Sequence, residues 1–163
     1  SDTAMHMFDA SAIIHGWDNY PIAQFPRLWA WLGSQISAKL VVISETAYQE
    51  VNLNSPDCWN WLKGQNVTVV VNIPCVLQLA TTIKSSLGIV GDNYHQLGVC
   101  ENDILIIASA KVGGATLVSD ENKQPSLPTE RRRYKIPAVC ASLNTPVPCQ
   151  SFLQYIVSSG QSF

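Results

Sequence analysis

The feature that most constrains this chain is a repeated change of period. Short apolar runs rich in β-branched residues alternate with stretches whose apolar residues recur every three or four positions. The runs are His6 to Asp9, Leu40-Val41-Val42-Ile43, Val67-Thr68-Val69-Val70-Val71, Ala115-Thr116-Leu117-Val118-Ser119 and Pro146 to Cys149. Continuous apolar strands of this length are buried on both faces, as in parallel sheets. Helical patterns follow Ser11 and span Pro26 to Ser37, Glu45 to Val51, Asp57 to Lys63, Pro74 to Ile83, Asp103 to Lys111 and Phe152 to Val157. Ser11 and Asn102 are the expected caps of their helices. Strands alternating with helices predict an α/β fold. The expected architecture is a three-layer α/β/α sandwich around a central parallel sheet of about four to five strands.

At 163 residues the chain reads as one domain spanning 1–163. Residues 1–6 read in part as a cloning remnant, with the natural start at Met5 or Met7. These residues lack the basic, apolar and small-residue zones of a signal peptide. No apolar run reaches the roughly 18 residues of a membrane span. Net charge is −2 and only 13% of residues are charged, which argues against a non-specific electrostatic binder of nucleic acid. The five cysteines include no C-x-x-C pair, so a structural zinc site is not expected. They read as free thiols of a protein in a reducing cytoplasm.

Acids stand at the ends of these elements. Asp9 ends the first strand, between an apolar run and an apolar helix. Glu45 and Glu50 lie on the helix after the second strand, and Asp103 opens the helix before the fourth. Asp120 and Glu121 follow that strand at once. In a parallel sheet all these points face one end, where α/β folds bind their ligands. Carboxylates gathered without basic partners repel one another unless a cation lies among them. Their hard oxygens suit Mg²⁺ or Mn²⁺. Ser11 and Ser119 are placed to hydrogen-bond such a carboxylate. Taken singly, Asp103 and Glu45 could be helix-start acids and Asp120-Glu121-Asn122 a turn; the joint arrangement points to a metal site. Arg131, Arg132, Arg133 and Lys135 form the dense basic run, suited to RNA phosphates or to an acidic partner segment, and equally to a solvated loop. His15, Trp17 and Tyr20 follow Asp9 by one helix, where an aromatic would stack on an unpaired base or pack in the core. Trp29 with Trp31 and Trp59 with Trp61 are two apart, so neither pair shares one helix face. Part of this aromatic surface is expected at an interface.

The chain resembles the PIN-domain superfamily of metal-dependent ribonucleases, and within it a VapC-like bacterial toxin subfamily once catalogued as a domain of unknown function. The resemblance begins at Met7-Phe8-Asp9-Ala10-Ser11 and continues at Ile43-Ser44 with Glu50. It includes Asn102-Asp103-Ile104-Leu105-Ile106-Ile107-Ala108-Ser109-Ala110, Leu117-Val118-Ser119-Asp120-Glu121 and the tail Lys135-Ile136-Pro137-Ala138-Val139-Cys140. It implies a Mg²⁺- or Mn²⁺-dependent endoribonuclease, the toxin of a type II toxin–antitoxin pair. Its partners would be an RNA substrate, a cognate antitoxin and a second copy of the chain. It further implies Asp9, Glu50, Asp103 and Glu121 as catalytic metal ligands. Glu45 competes with Glu50 for the second position and otherwise supports it. Asp120 competes with Glu121 for the fourth, where the acid follows Ser119 sooner than the family pattern expects. Two alternatives stay open: a non-catalytic binding module of the same fold, and another Mg²⁺-dependent phosphohydrolase. The haloacid dehalogenase type of the latter requires an acid where this chain has Ser11.

Overall fold

The computed structural model describes residues 4–163, so the expectation about the opening residues falls partly outside it. Five strands form one sheet in the order β3-β2-β1-β4-β5: β1 (His6–Phe8), β2 (Val41–Ser44), β3 (Thr68–Val70), β4 (Thr116–Val118) and β5 (Cys149–Gln150). Every pairing is parallel. β1 is the middle strand, and the chain winds from it in both directions. The tip of β1 is therefore the switch point of the sheet, where a crevice opens between diverging connections.

The helices are α1 (Ala10–Asn19), α2 (Pro26–Ser37), α3 (Glu45–Asn54), α4 (Pro56–Gly64), α5 (Pro74–Ser86), α6 (Glu101–Gly113), α7 (Ile136–Ser142) and α8 (Phe152–Ser159). They cover both faces of the sheet, which is why all of β1 and β2 is buried. Phe8 meets Phe152 and Tyr155 of α8 edge-on, and Tyr155 meets Trp31 of α2. α5 packs along α6, and α6 packs on α3. One continuous core joins Met7, Leu32, Ile43, Ile107, Leu117 and Val139. This is the three-layer sandwich expected from the alternation of periods. Among the described residues no helix is long and apolar enough to cross a membrane.

Several local expectations change. Asp9, not Ser11, is the N-cap residue of α1, with extended φ −75° and ψ 152°. Cys100, not Asn102, precedes α6, and its N–H donates to Asp103 Oδ2 at 3.0 Å. Ile136 to Cys140 opens a seven-residue helix, too short to show a period. β5 begins at Cys149 because Pro146 and Pro148 bring no N–H to a ladder. The tryptophans are largely spent on packing: Trp29 stacks edge-on with Trp17 and Trp61, Trp31 meets Tyr155 and Phe163, and Trp59 meets Tyr48. Tyr20 lies against Phe25 and Phe152. Trp17 and Tyr20 thus serve the core edge rather than an open rim.

Candidate metal centre

The register of the sheet places the first acid. Phe8 pairs with Ile43 on one side and Val118 on the other. The next residue of each strand is therefore Asp9, Ser44 or Ser119, side by side at the carboxyl end. Asp9 N–H donates to the Val118 carbonyl at 2.8 Å and keeps Asp9 in line with β4. Its carboxylate is 3% exposed. Two hydroxyls converge on Oδ2: Ser11 donates at 2.6 Å and Ser119 at 3.0 Å. Ser11 Oγ in turn accepts the Asp120 N–H at 3.0 Å, and Ser119 Oγ accepts the Glu121 N–H at 3.3 Å. The two serines thus lock the carboxylate of β1 to the turn that follows β4.

Four acids share one electrostatic field here. Burial, and then the charge of Asp103, push Asp9 up from 3.8 to about 6, against the lowering pull of Ser11, Ser119 and the Ala10 N–H. Glu50 is raised by its partial burial and by the charges of Asp9 and Asp103, while a hydrogen bond from Asn102 opposes the rise. Glu121 is raised by burial and by Asp103, and Lys135 opposes. Among the described residues none of the four acids is in a salt bridge. Nor do three His, Cys, Asp or Glu side chains converge there into a preformed metal cage. The acids are close enough to repel one another and have not collapsed onto one point. Acceptor-only oxygens that disfavour their own ionisation are the donor chemistry that a hard divalent cation relieves.

The competing acids separate by geometry. Glu45 Oε1 accepts the Asn72 N–H at 2.6 Å, and Asn72 Nδ2 donates to Thr46 Oγ1 at 3.1 Å. Glu45 therefore fastens α3 to the segment after β3. Asp120 Oδ1 accepts the Phe152 N–H at the start of α8 at 2.8 Å, and its Oδ2 stands 3.6 Å from His15 Nδ1. Asp120 Oδ1 thus ties the turn to α8, while its buried Oδ2 has no hydrogen-bond partner among the described residues.

The basic run divides in the same manner. Arg132 donates to Glu130 at 2.6 Å and to the Asn93 carbonyl at 2.8 Å, and Arg131 reaches the Ser86 carbonyl at 3.4 Å. These two arginines bind the loop to the body of the protein. Arg133 is exposed. Lys135 is the cation beside the acids: with Asp103, Glu121, Gly98 and Ile136 it lines a cavity of about 190 Å³. Sequence reasoning did not single out Asn102 as a partner of Glu50. Its place directly before Asp103 on the first turn of α6 was the available signal.

A family model described as a domain of unknown function (DUF4411) matches residues 6–163. No curated protein matches the chain. Among solved structures the chain is similar to VapBC2 from Rickettsia felis bound to a DNA fragment from their promoter. The identity is 16% over 72% of this chain and 87% of that chain, with a TM-score of 0.49. It is also similar to PAE2754 from Pyrobaculum aerophilum, at 14% identity over 97% of this chain and 91% of that chain, with a TM-score of 0.48. With its family model spanning residues 6–163, the chain belongs to the DUF4411 family.

Proposed function

We propose that this chain is a PIN-type, metal-dependent endoribonuclease and the toxin of a type II toxin–antitoxin pair acting in the cytoplasm. One observation carries the reading: four carboxylates from four different elements lie at the switch point of a parallel sheet, where burial and the charge of Asp103 raise the pKa of Asp9, Glu50 and Glu121, and among the described residues none of the four is in a salt bridge. Asp9, Glu50, Asp103 and Glu121 hold Mg²⁺ or Mn²⁺. When bound, the ion supplies Lewis-acid activation of a phosphodiester and of the attacking water. Ser11 and Ser119 fix the orientation of Asp9, and Asn102 that of Glu50. Lys135 faces the phosphate from the Glu121 side, and exposed Arg133 guides the RNA strand toward it. Glu45 and Asp120 hold the frame. A cognate antitoxin covers the acidic crevice, and the chain pairs with a second copy.

The reading is tested with a labelled RNA incubated with Mn²⁺ or with EDTA. Wild-type protein is expected to cut only with the metal, and Asp9→Asn to lose about 100-fold or more of the rate. Equal cutting in EDTA overturns the reading. A non-catalytic binding module of the same fold is favoured by the absence of a preformed cage among the described residues. It predicts intact RNA under both conditions.

A further inference from the structure

Glu121 stands between two cavities. One, of about 190 Å³, it shares with Asp103 and Lys135. The other, of about 210 Å³, it shares with Asn122, Lys123, Gln150 and Gln154. The second cavity is built where β4 runs out into its turn and β5 hands over to α8. Its side chains do not all present the same chemistry. Gln154 Oε1 accepts the Ser151 N–H at 2.9 Å, and Ser151 Oγ accepts the Gln154 N–H at 3.1 Å, the reciprocal box that starts α8. Only the oxygen of an amide can accept an N–H, so the Gln154 side chain is fixed with Nε2, a donor, as the end left to meet a ligand. Lys123 is exposed, is in no ion pair among the described residues, and likewise can only donate. The cavity therefore offers two obligate donors, while Asp120 and Glu121 line it as acids.

We propose that this cavity seats one unpaired nucleobase of the RNA strand beside the acids, and that Lys123 and Gln154 select guanine or cytosine there. The inference rests on the nuclease reading for the choice of RNA as ligand. A strand that crosses Glu121 passes from the cavity of Lys135 into this one. A phosphate would also accept from two donors, but Asp120 and Glu121 line the same cavity and repel a second anion. A neutral base that brings acceptors escapes that repulsion, and unpaired bases are read by hydrogen bonds to their edges. Two donors match two acceptors that stand side by side. Guanine places N7 beside O6, and cytosine places N3 beside O2. Adenine sets its N6 amino group between N7 and N1, and uracil sets N3–H between O4 and O2. Either of these turns a donor toward a donor. Asn122, whose amide both donates and accepts, does not discriminate.

The test titrates the full chain, in EDTA, into short labelled oligouridines that carry one central guanine, cytosine or adenine, or uracil alone, with binding read by fluorescence anisotropy. The guanine and cytosine oligonucleotides are expected to bind about 5-fold or more tighter than the other two. Gln154→Glu keeps an oxygen for the Ser151 N–H, and with it the start of α8, but replaces the donor by an acceptor. It is expected to erase or invert the preference at unchanged helical content, and Lys123→Met to reduce it. The added charge of Gln154→Glu weakens all four complexes alike, so the ratio between oligonucleotides is the readout. Equal binding of the four, or an unchanged ratio in Gln154→Glu, overturns the proposal. The assay needs neither metal nor cutting, so its failure is distinct from failure of the nuclease reading, which shows as intact RNA with Mn²⁺.

Discussion

Asp9 shows how one residue can be both costly and purposeful. Its carboxylate is buried, accepts two serine hydroxyls and faces other acids. Burial wins over the hydrogen bonds, and the group titrates near 6 in the fold, above its ordinary 3.8. The folded state therefore holds this proton more tightly than the unfolded state. The stabilisation from Asp9 is complete below about pH 4 and is lost as pH rises through about 6. The loss is of order 3 kcal/mol for metal-free protein. Urea unfolding in EDTA across this range is expected to show stability falling with pH, and Asp9→Asn is expected to flatten the fall. Identical pH profiles for the two proteins would contradict the assignment. The position of Asp9 was legible in the sequence, because an acid between an apolar run and an apolar helix has few other reasons to be there. The two serine contacts were legible only as residue types. Which hydroxyl meets which oxygen depends on the register between β1 and β4, set by contacts more than a hundred residues apart in the chain.

Among the elements, the wall that carries Lys135 is built from two irregular segments pressed together. Val99 N–H donates to the Tyr134 carbonyl at 2.9 Å. A Cβ on Gly98 would stand 1.8 Å from the Arg132 carbonyl oxygen and 2.8 Å from its carbon, both backbone atoms that cannot swing aside. Gly98→Ala is expected to cost about 1–3 kcal/mol in urea unfolding and to weaken the wall beside Asp103 and Glu121. Unchanged stability would show that the two backbones are not in contact. Nothing in the polar stretch around Gly98 signals this approach, since the segment it meets lies over thirty residues on. The long helices were plain from their period. α7 was not, because seven residues cannot display one, and its buried residues are Ile136, Ala138, Val139 and Cys140. The competition between Glu45 and Glu50 was likewise open in sequence, where both lie on α3. It separates only when β3 brings Asn72 to Glu45.

For the whole molecule, the parallel sheet does the gathering. Its order places β1 at the centre, so the segments leaving β1, β2 and β4, with the start of α6 that leads into β4, bring acids from distant parts of the chain to one crevice. Net charge of −2 gives little general attraction for a polyanion, and the local cation at the acids is Lys135, which shares a cavity with Asp103 and Glu121. The central claim is that Asp9, Glu50, Asp103 and Glu121 jointly bind a divalent cation, and Asp103 is the common neighbour of the other three. Asp103→Asn is the sharpest probe, because asparagine retains an oxygen to accept the Cys100 N–H and so preserves the start of α6. The most direct measurement is calorimetric titration of Mn²⁺ into metal-free wild-type protein and into Asp103→Asn. Saturable binding by the wild type, weakened about 10–100-fold in the variant at unchanged helical content, is the predicted result. No saturable binding by the wild type, or equal binding by both proteins, would contradict it.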